Sequence, residues 1–196
     1  MIVFTREYID EYKEDIFRRI MGGHVFIYPT DTIYGLGCDA RNEKAVERIR
    51  EMKERYDRPF SILVPSMKWI LKNCEIDDRW LKKLPGPYTF ILKLKNENSI
   101  AKNVNLGMET IGVRIPDHWI SHFFQSIGIP IVTTSVNVSG EKYMTSISDL
   151  DKRVRSHVDF MIYDGSIHGV PSKIMDLTDG IPIALRDFED GQQKLL

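Results

Sequence analysis

Cysteine is nearly absent: Cys38 and Cys74 are the only two in 196 residues. Two thiols without C-x-x-C spacing make neither a zinc site nor a disulfide framework, so a reducing cytoplasm is the expected setting. Long apolar runs are missing as well. The longest, such as residues 25–28, are strand-sized against the roughly 20 residues that cross a bilayer. The chain turns acidic soon after its start, without the apolar core of a signal peptide. Neither a membrane protein nor a secreted mini-protein is expected. Charge imbalance is also lacking: 27 Lys and Arg meet 28 Asp and Glu, for a net of -1. A surface built throughout to coat nucleic acid is thereby excluded, but a local basic cleft is not. Familiar catalytic signatures are absent too. There is no G-x-x-x-x-G-K-[ST], G-x-S-x-G or H-E-x-x-H, and Gly35-Leu36-Gly37 lacks the third glycine of a dinucleotide fingerprint. Of the five histidines, only His118 and His122 share helical spacing, and a pair without a third ligand is no metal centre.

Hydrophobic residues at 42% and charged residues at 28% fit a chain that buries a core of its own. Ile9, Tyr12, Ile16, Phe17 and Ile20 recur at helical spacing, and Gly22-Gly23 supply a stop. Residues 25–28 read as a buried strand, followed by a polar, Gly-containing loop. Asn42 is an N-cap candidate for a helix whose apolar face is Ala45, Val46, Ile49 and Met52. Further strands are expected at 60–64, 88–95, 110–115, 129–134, 160–163, 173–177 and 181–185. Helices are expected at 69–74, 77–84, from a cap at Asp117 through Ile127, and at 149–157. Interspersed helices and strands, with no repeat or linker, indicate one α/β domain over residues 1–196 with a twisted mixed sheet.

Four segments carry candidate chemistry, each where a strand gives way to a loop, the usual place for ligands in open α/β sheets. Residues 29–37, Pro-Thr-Asp-Thr-Ile-Tyr-Gly-Leu-Gly, offer threonine hydroxyls, a phenol and glycines that let backbone approach a ligand; a capped turn would look the same. Lys53-Glu54-Arg55-Tyr56-Asp57-Arg58 sets three cations at a helix end, suited to a polyphosphate or to the helix dipole alone. Arg114, in Gly-Val-Arg-Ile-Pro, lies between strand apolars. Either an internal acid pairs it or it waits for a ligand carboxylate, because an unpaired buried guanidinium is expensive. Residues 133–140, Thr-Thr-Ser-Val-Asn-Val-Ser-Gly, could hold an oxyanion with hydroxyls, an amide and turn N–H groups, or form an ordinary polar turn.

Taken in order, YPTDTIYGLG, K-x-R, PGPYTFIL, VRIP, TTSVNVSG, PSKIMDLT and LR closely resemble the YrdC/YciO family, over about residues 23–186. The resemblance implies an α/β domain around a concave, positively lined cleft, and threonylcarbamoyl-AMP synthase activity. L-threonine, bicarbonate and ATP would give threonylcarbamoyl-adenylate and pyrophosphate, with Mg2+ on the phosphates and no metal site on the protein. A partner tRNA threonylcarbamoyl transferase would then use the product. By similarity, Lys53 and Arg55 are the catalytic pair, and they contact ATP together with Ser135, Asn137 and Arg186. Thr32, Arg114, Thr133 and Ser172 match threonine-holding positions. Three departures stand out: Lys173 and Ile174 replace the Thr-Val of the usual Ser-Thr-Val, Leu63 occupies the place of a substrate-touching His in long members, and their C-terminal domain is missing. A YciO-like paralogue that binds nucleotide or structured RNA, tRNA included, and a carbamoyl-adenylate former remain as alternatives.

Overall fold

The computed structural model describes residues 1–187. Along the chain run β1 (Ile2–Thr5), α1 (Lys13–Met21), β2 (Phe26–Tyr28), β3 (Gly35–Gly37), α2 (Glu43–Lys53) and β4 (Ser61–Leu63). Next come α3 (Met67–Asn73), α4 (Asp78–Leu81), β5 (Tyr88–Lys93), α5 (Lys102–Asn105), β6 (Thr110–Arg114) and α6 (Trp119–Ile127). The remainder is β7 (Ile131–Ser135), α7 (Lys152–His157), β8 (Phe160–Tyr163), β9 (Lys173–Asp176) and β10 (Ile183–Arg186).

All ten strands join one mixed sheet in the order β1-β8-β2-β3-β7-β4-β6-β5-β9-β10. Strand alternation sends side chains to two cores. On one face, Ile16 and Ile20 of α1 and Ile120, Phe123 and Phe124 of α6 cover Phe26, Tyr28, Leu63, Ile131, Phe160 and Ile162. On the other, Val46, Ile49 and Met52 of α2, Ile70 of α3 and Val154 of α7 cover Ile27, Leu36, Ile62, Phe90, Val113, Val132 and Met161. The first helical layer stops short of the sheet's second half. Ser61, Thr89, Thr133 and Ile174 line an open strip there, which becomes the floor of a pocket.

The expected elements are present, with instructive differences. The first helix starts only at Lys13: Arg6–Tyr8 form a 3-10 turn, closed by a bond from the Ile9 amide to the Arg6 carbonyl, so Ile9 is buried from a turn. Strand β1 comes as an addition, pairing in parallel with β8 at the sheet edge. Gly35–Gly37, read as loop, is instead a central strand between β2 and β7. A Cβ on Gly35 would run into the Tyr28 ring, and one on Gly37 into the Val132 carbonyl, so the strand needs its glycines for packing. Asp117 is not the cap of α6; His118 is, its side chain accepting from the Ile120 amide. Asn42 caps α2 as expected. Helix α7 is shorter than residues 149–157, because Ile147–Asp149 form a separate 3-10 turn and Asp151 caps the helix proper.

Candidate functional site

The open strip is the floor of a pocket of about 700 Å³, within the size range of small-molecule sites. Arg55, Arg58, Arg114 and Arg186 line it, together with Ser61, Thr89, Thr133, Ser135, Asn137 and Ser172. Pairing register explains the convergence. Ser61 stands between Gly112 and Thr133 in adjacent strands, and Arg114 follows one pleat farther along β6. Gly112 must lack a side chain, since a Cβ there would meet the Ser61 hydroxyl.

Arg114 is almost wholly buried and carries an internal partner. Its Nη2 donates to Asp31 and, at 2.8 Å, to the Thr32 hydroxyl. Asp31 in turn accepts from the Asp117 amide at 3.0 Å. Burial pulls the Arg114 pKa down while Asp31 opposes that shift. The sequence left an internal acid and a ligand open for Arg114; the structure supplies the acid yet keeps the side chain on the pocket wall. Its Nε is buried without a partner, as is that of Arg55.

Arg186 donates from Nε to the Ser172 carbonyl at 2.8 Å and from Nη2 to the Ser172 hydroxyl at 3.2 Å, and that hydroxyl lies 2.8 Å from Thr89 Oγ1. Burial, then the neighbouring Arg114 and Arg55, push its pKa down to about 10. Arg55 is lowered by burial and by Arg58 and Arg50. Mutual depression of this kind marks a cation cluster short of counter-charge, an environment that favours an anion.

Two expected site residues lie behind the wall. Lys53 was expected to face phosphates, but it is 1% exposed and donates to the Ser135 carbonyl, the Asn137 carbonyl and Asn137 Oδ1 at 2.7, 2.9 and 2.8 Å. Ser135 Oγ donates to the same Oδ1, and Ser139 Oγ donates back to the Lys53 carbonyl at 2.7 Å. Lys53 therefore fixes the Ser-x-Asn loop from within. Thr32 is buried, its hydroxyl held by Arg114 and 3.1 Å from Thr30 Oγ1. Lys173 points away from the pocket to Asp187 at 2.8 Å, and Leu63 packs under α6.

Thr30, one of the two threonines of the 29–37 segment, lines the pocket; Ser61 and Thr89 line it without having been singled out, because an isolated hydroxyl inside a strand carries no sequence signal. Among the described residues no group of three His, Cys, Asp or Glu is placed to hold a metal ion. Among the described residues the one pocket-lining carboxylate, Glu141, pairs with Arg153 at 2.6 Å. No helix of the described residues is long and apolar enough to cross a membrane.

A family model for Sua5, YciO and YrdC proteins, described as telomere recombination, matches residues 18–187. The chain belongs to the Sua5/YciO/YrdC family. It is 36% identical over 186 residues to a protein of Methanocaldococcus jannaschii named putative threonylcarbamoyl-AMP synthase, covering 91% of this chain and 86% of that one. Among solved structures, P. abyssi Sua5 complexed with L-threonine superposes with a TM-score of 0.84 at 30% identity, over 94% of this chain and 56% of the Sua5 chain. E. coli YciO superposes at 0.82 and 25% identity, over 100% of this chain and 98% of YciO. This family member thus spans a little over half the length of that Sua5 chain and nearly all of YciO.

Proposed function

We propose that this protein is a threonylcarbamoyl-AMP synthase, a nucleotidyltransferase that turns L-threonine, bicarbonate and ATP into threonylcarbamoyl-adenylate and pyrophosphate. The observation that carries the reading is the convergence of Arg55, Arg114 and Arg186 on one hydroxyl-lined pocket, in a family with a threonine-bound Sua5. Threonine and bicarbonate form the carbamate without an enzymatic nucleophile. A carbamate oxygen then attacks the α-phosphorus of ATP, a new O–P bond forms, and the bond to pyrophosphate breaks. Such transfers depend mainly on positioning and fixed positive charge. Arg55, Arg58 and Arg186 would take the phosphates, and the Ser135–Asn137 loop would orient them, held in shape by Lys53. Arg114, Thr133 and Ser172 would hold threonine, with Thr32 fixing Arg114. Mg2+ would arrive on the phosphates of ATP, a mode of binding in which substrate phosphates and water supply most of its ligands.

In this reading residues 1–196 act as one domain in the cytoplasm, and a tRNA threonylcarbamoyl transferase takes the product. The test is pyrophosphate release from ATP and bicarbonate, with and without each amino acid. Release that depends on threonine is expected. Arg55→Ala should weaken ATP by about ten- to a hundredfold, the worth of one charge-assisted contact. A second reading, a YciO-like paralogue, is supported by the superposition on E. coli YciO at a TM-score of 0.82. Nucleotide binding with no threonine-dependent release would select it, and release without any amino acid would select a carbamoyl-adenylate former.

A further inference from the structure

Between the pocket and the core lies a guanidinium that no part of this chemistry uses. Arg50, in the last turns of α2, is 2% exposed, and among the described residues no carboxylate pairs with it in an ion bridge. All of its hydrogen-bond partners are main-chain carbonyls. Nε and Nη2 donate to Asn103 at 2.8 and 2.6 Å, and Nη2 also reaches Val104 at 3.1 Å. Nη1 donates to the carbonyls of Arg55 and Arg58 at 2.7 and 3.0 Å. Five N–H groups thus meet five acceptor contacts, a match that only the planar fork of arginine provides.

The carbonyls it gathers explain why it is there. Residues 54–60 form neither helix nor strand, and their chain reverses at Glu54, the left-handed C-cap of α2. Inward carbonyls at Arg55 and Arg58 would lack partners if Arg50 were absent, and buried orphan carbonyls are costly. Arg50 also lies 4.5 Å from the centre of the Phe60 ring, against which Arg55 packs at 5.2 Å. Of the four residues whose carbonyls it holds, Arg55 and Arg58 line the pocket.

We propose that Arg50 is a positioning residue for the polyphosphate of the substrate: it binds the back of the 54–60 loop so that Arg55 and Arg58 face the pocket as a pair. The inference rests on the nucleotide reading above. It makes Arg50 act on phosphate recognition through two other residues, without touching the ligand.

Arg50→Lys keeps the charge but offers three N–H groups and no fork. In titration calorimetry it should weaken ATP by about tenfold or more, as misaligned charge-assisted contacts do. Its affinity for adenosine, which lacks phosphates, should match the wild type. In an Arg55→Ala background the same change should cost less than it does in the wild type, because one of the two contacts it positions is already gone. Wild-type ATP affinity in Arg50→Lys overturns the proposal, and so does an undiminished loss on top of Arg55→Ala, or an equal loss for adenosine. If Arg55→Ala alone leaves ATP affinity unchanged, the nucleotide reading falls and takes this inference with it. A measurement on unaltered protein guards against a variant that fails to fold. In NMR spectra of arginine side chains, ATP should move the Arg50 Nε–H signal together with that of Arg55, whereas adenosine should leave it in place. An Arg50 signal indifferent to ATP while that of Arg55 moves overturns the proposal equally.

Discussion

Arg114 and Asp31 form a buried ion pair across the pocket wall, with side chains 6% and 12% exposed, and Asp31 bridges from that guanidinium to the backbone of Asp117. The pair links the end of β6 to the loop after β2, so it belongs to both the fold and the pocket. Removing the acid leaves an uncompensated buried cation, which costs about 3–5 kcal/mol. Asp31→Asn should therefore lower unfolding free energy by roughly that amount in urea titration. A loss below about 1 kcal/mol would mean that the pair is solvated in solution and contributes like a surface bridge.

Arg114 itself permits a test that separates fold from substrate. Arg114→Lys keeps a charge beside Asp31 but gives up the fork that can grip a carboxylate through two parallel bonds. The variant should bind ATP as the wild type does and lose threonine-dependent pyrophosphate release. Threonine amide, lacking the carboxylate, should be a poor substrate for the wild type and should lose less on mutation. Equal losses for acid and amide would make Arg114 a structural residue only.

The distribution of elements was legible because periodicity of 3.6 or 2 is written into the apolar residues that face a core. Ile16 and Ile20 of α1, and Phe160 and Ile162 of β8, are examples. Strand β3 was not legible, because Gly-Leu-Gly carries no β propensity and earns its place by letting Tyr28 pack where a side chain would stand. The same limit applies to the site. Lys-x-Arg and Ser-x-Asn stand out as motifs, but only burial reveals that Lys53 grips the loop while Arg55 faces the cavity. Nothing in the local sequence distinguishes Arg50 from any other helix charge, because the Asn103 and Val104 carbonyls that complete its set of partners lie some fifty residues away.

Lys173 occupies a position where the family resemblance calls for a small hydroxyl residue. Ser172 and Ile174 line the pocket while Lys173 reaches Asp187, as alternation along a strand requires. The bond to Asp187 is partly exposed and should be worth less than about 1 kcal/mol. Lys173→Thr should leave both the threonine KM and turnover within about twofold of the wild type, because the side chain that changes faces away from the pocket. A large gain in steady-state assays would show that the lysine had been suppressing activity.

Glu54 adopts φ 50° and ψ 40° at the end of α2 with its side chain exposed. Residues with a Cβ are penalised in this left-handed region, and glycine is the usual occupant of a helix-ending position. The relief outweighs the extra freedom that glycine gives the unfolded chain. Glu54→Gly should therefore stabilise the protein by about 0.5–1 kcal/mol, visible as a raised Tm in calorimetry. Destabilisation would indicate that Glu54 makes contacts in solution that outweigh its backbone strain.

If the proposed function holds, Lys53 should tie proton balance to nucleotide binding. Burial, and then the charge of Arg55, push its ammonium down from 10.5 to about 7. Because the folded pKa lies below the unfolded one, the native state binds fewer protons between those values. Lys53 accordingly contributes stability that rises with pH across that window. ATP bound as proposed should reverse the local field. Polyphosphate beside Arg55 and the Ser135–Asn137 loop favours the charged ammonium, and three N–H donors then match the three oxygens around Nζ. At pH 8 a largely neutral Lys53 should take up a proton as ATP binds, and ATP affinity should fall as pH rises through 7 and beyond. The terminal phosphate, ionising near pH ~6, does not contribute at pH 8. Calorimetry at pH 8 in buffers of different ionisation heat reads the uptake directly, as a dependence of apparent enthalpy on buffer. Lys53→Met should abolish that dependence. Buffer-independent heats in the wild type would show that Lys53 keeps its proton throughout, held by the loop carbonyls against the cost of burial.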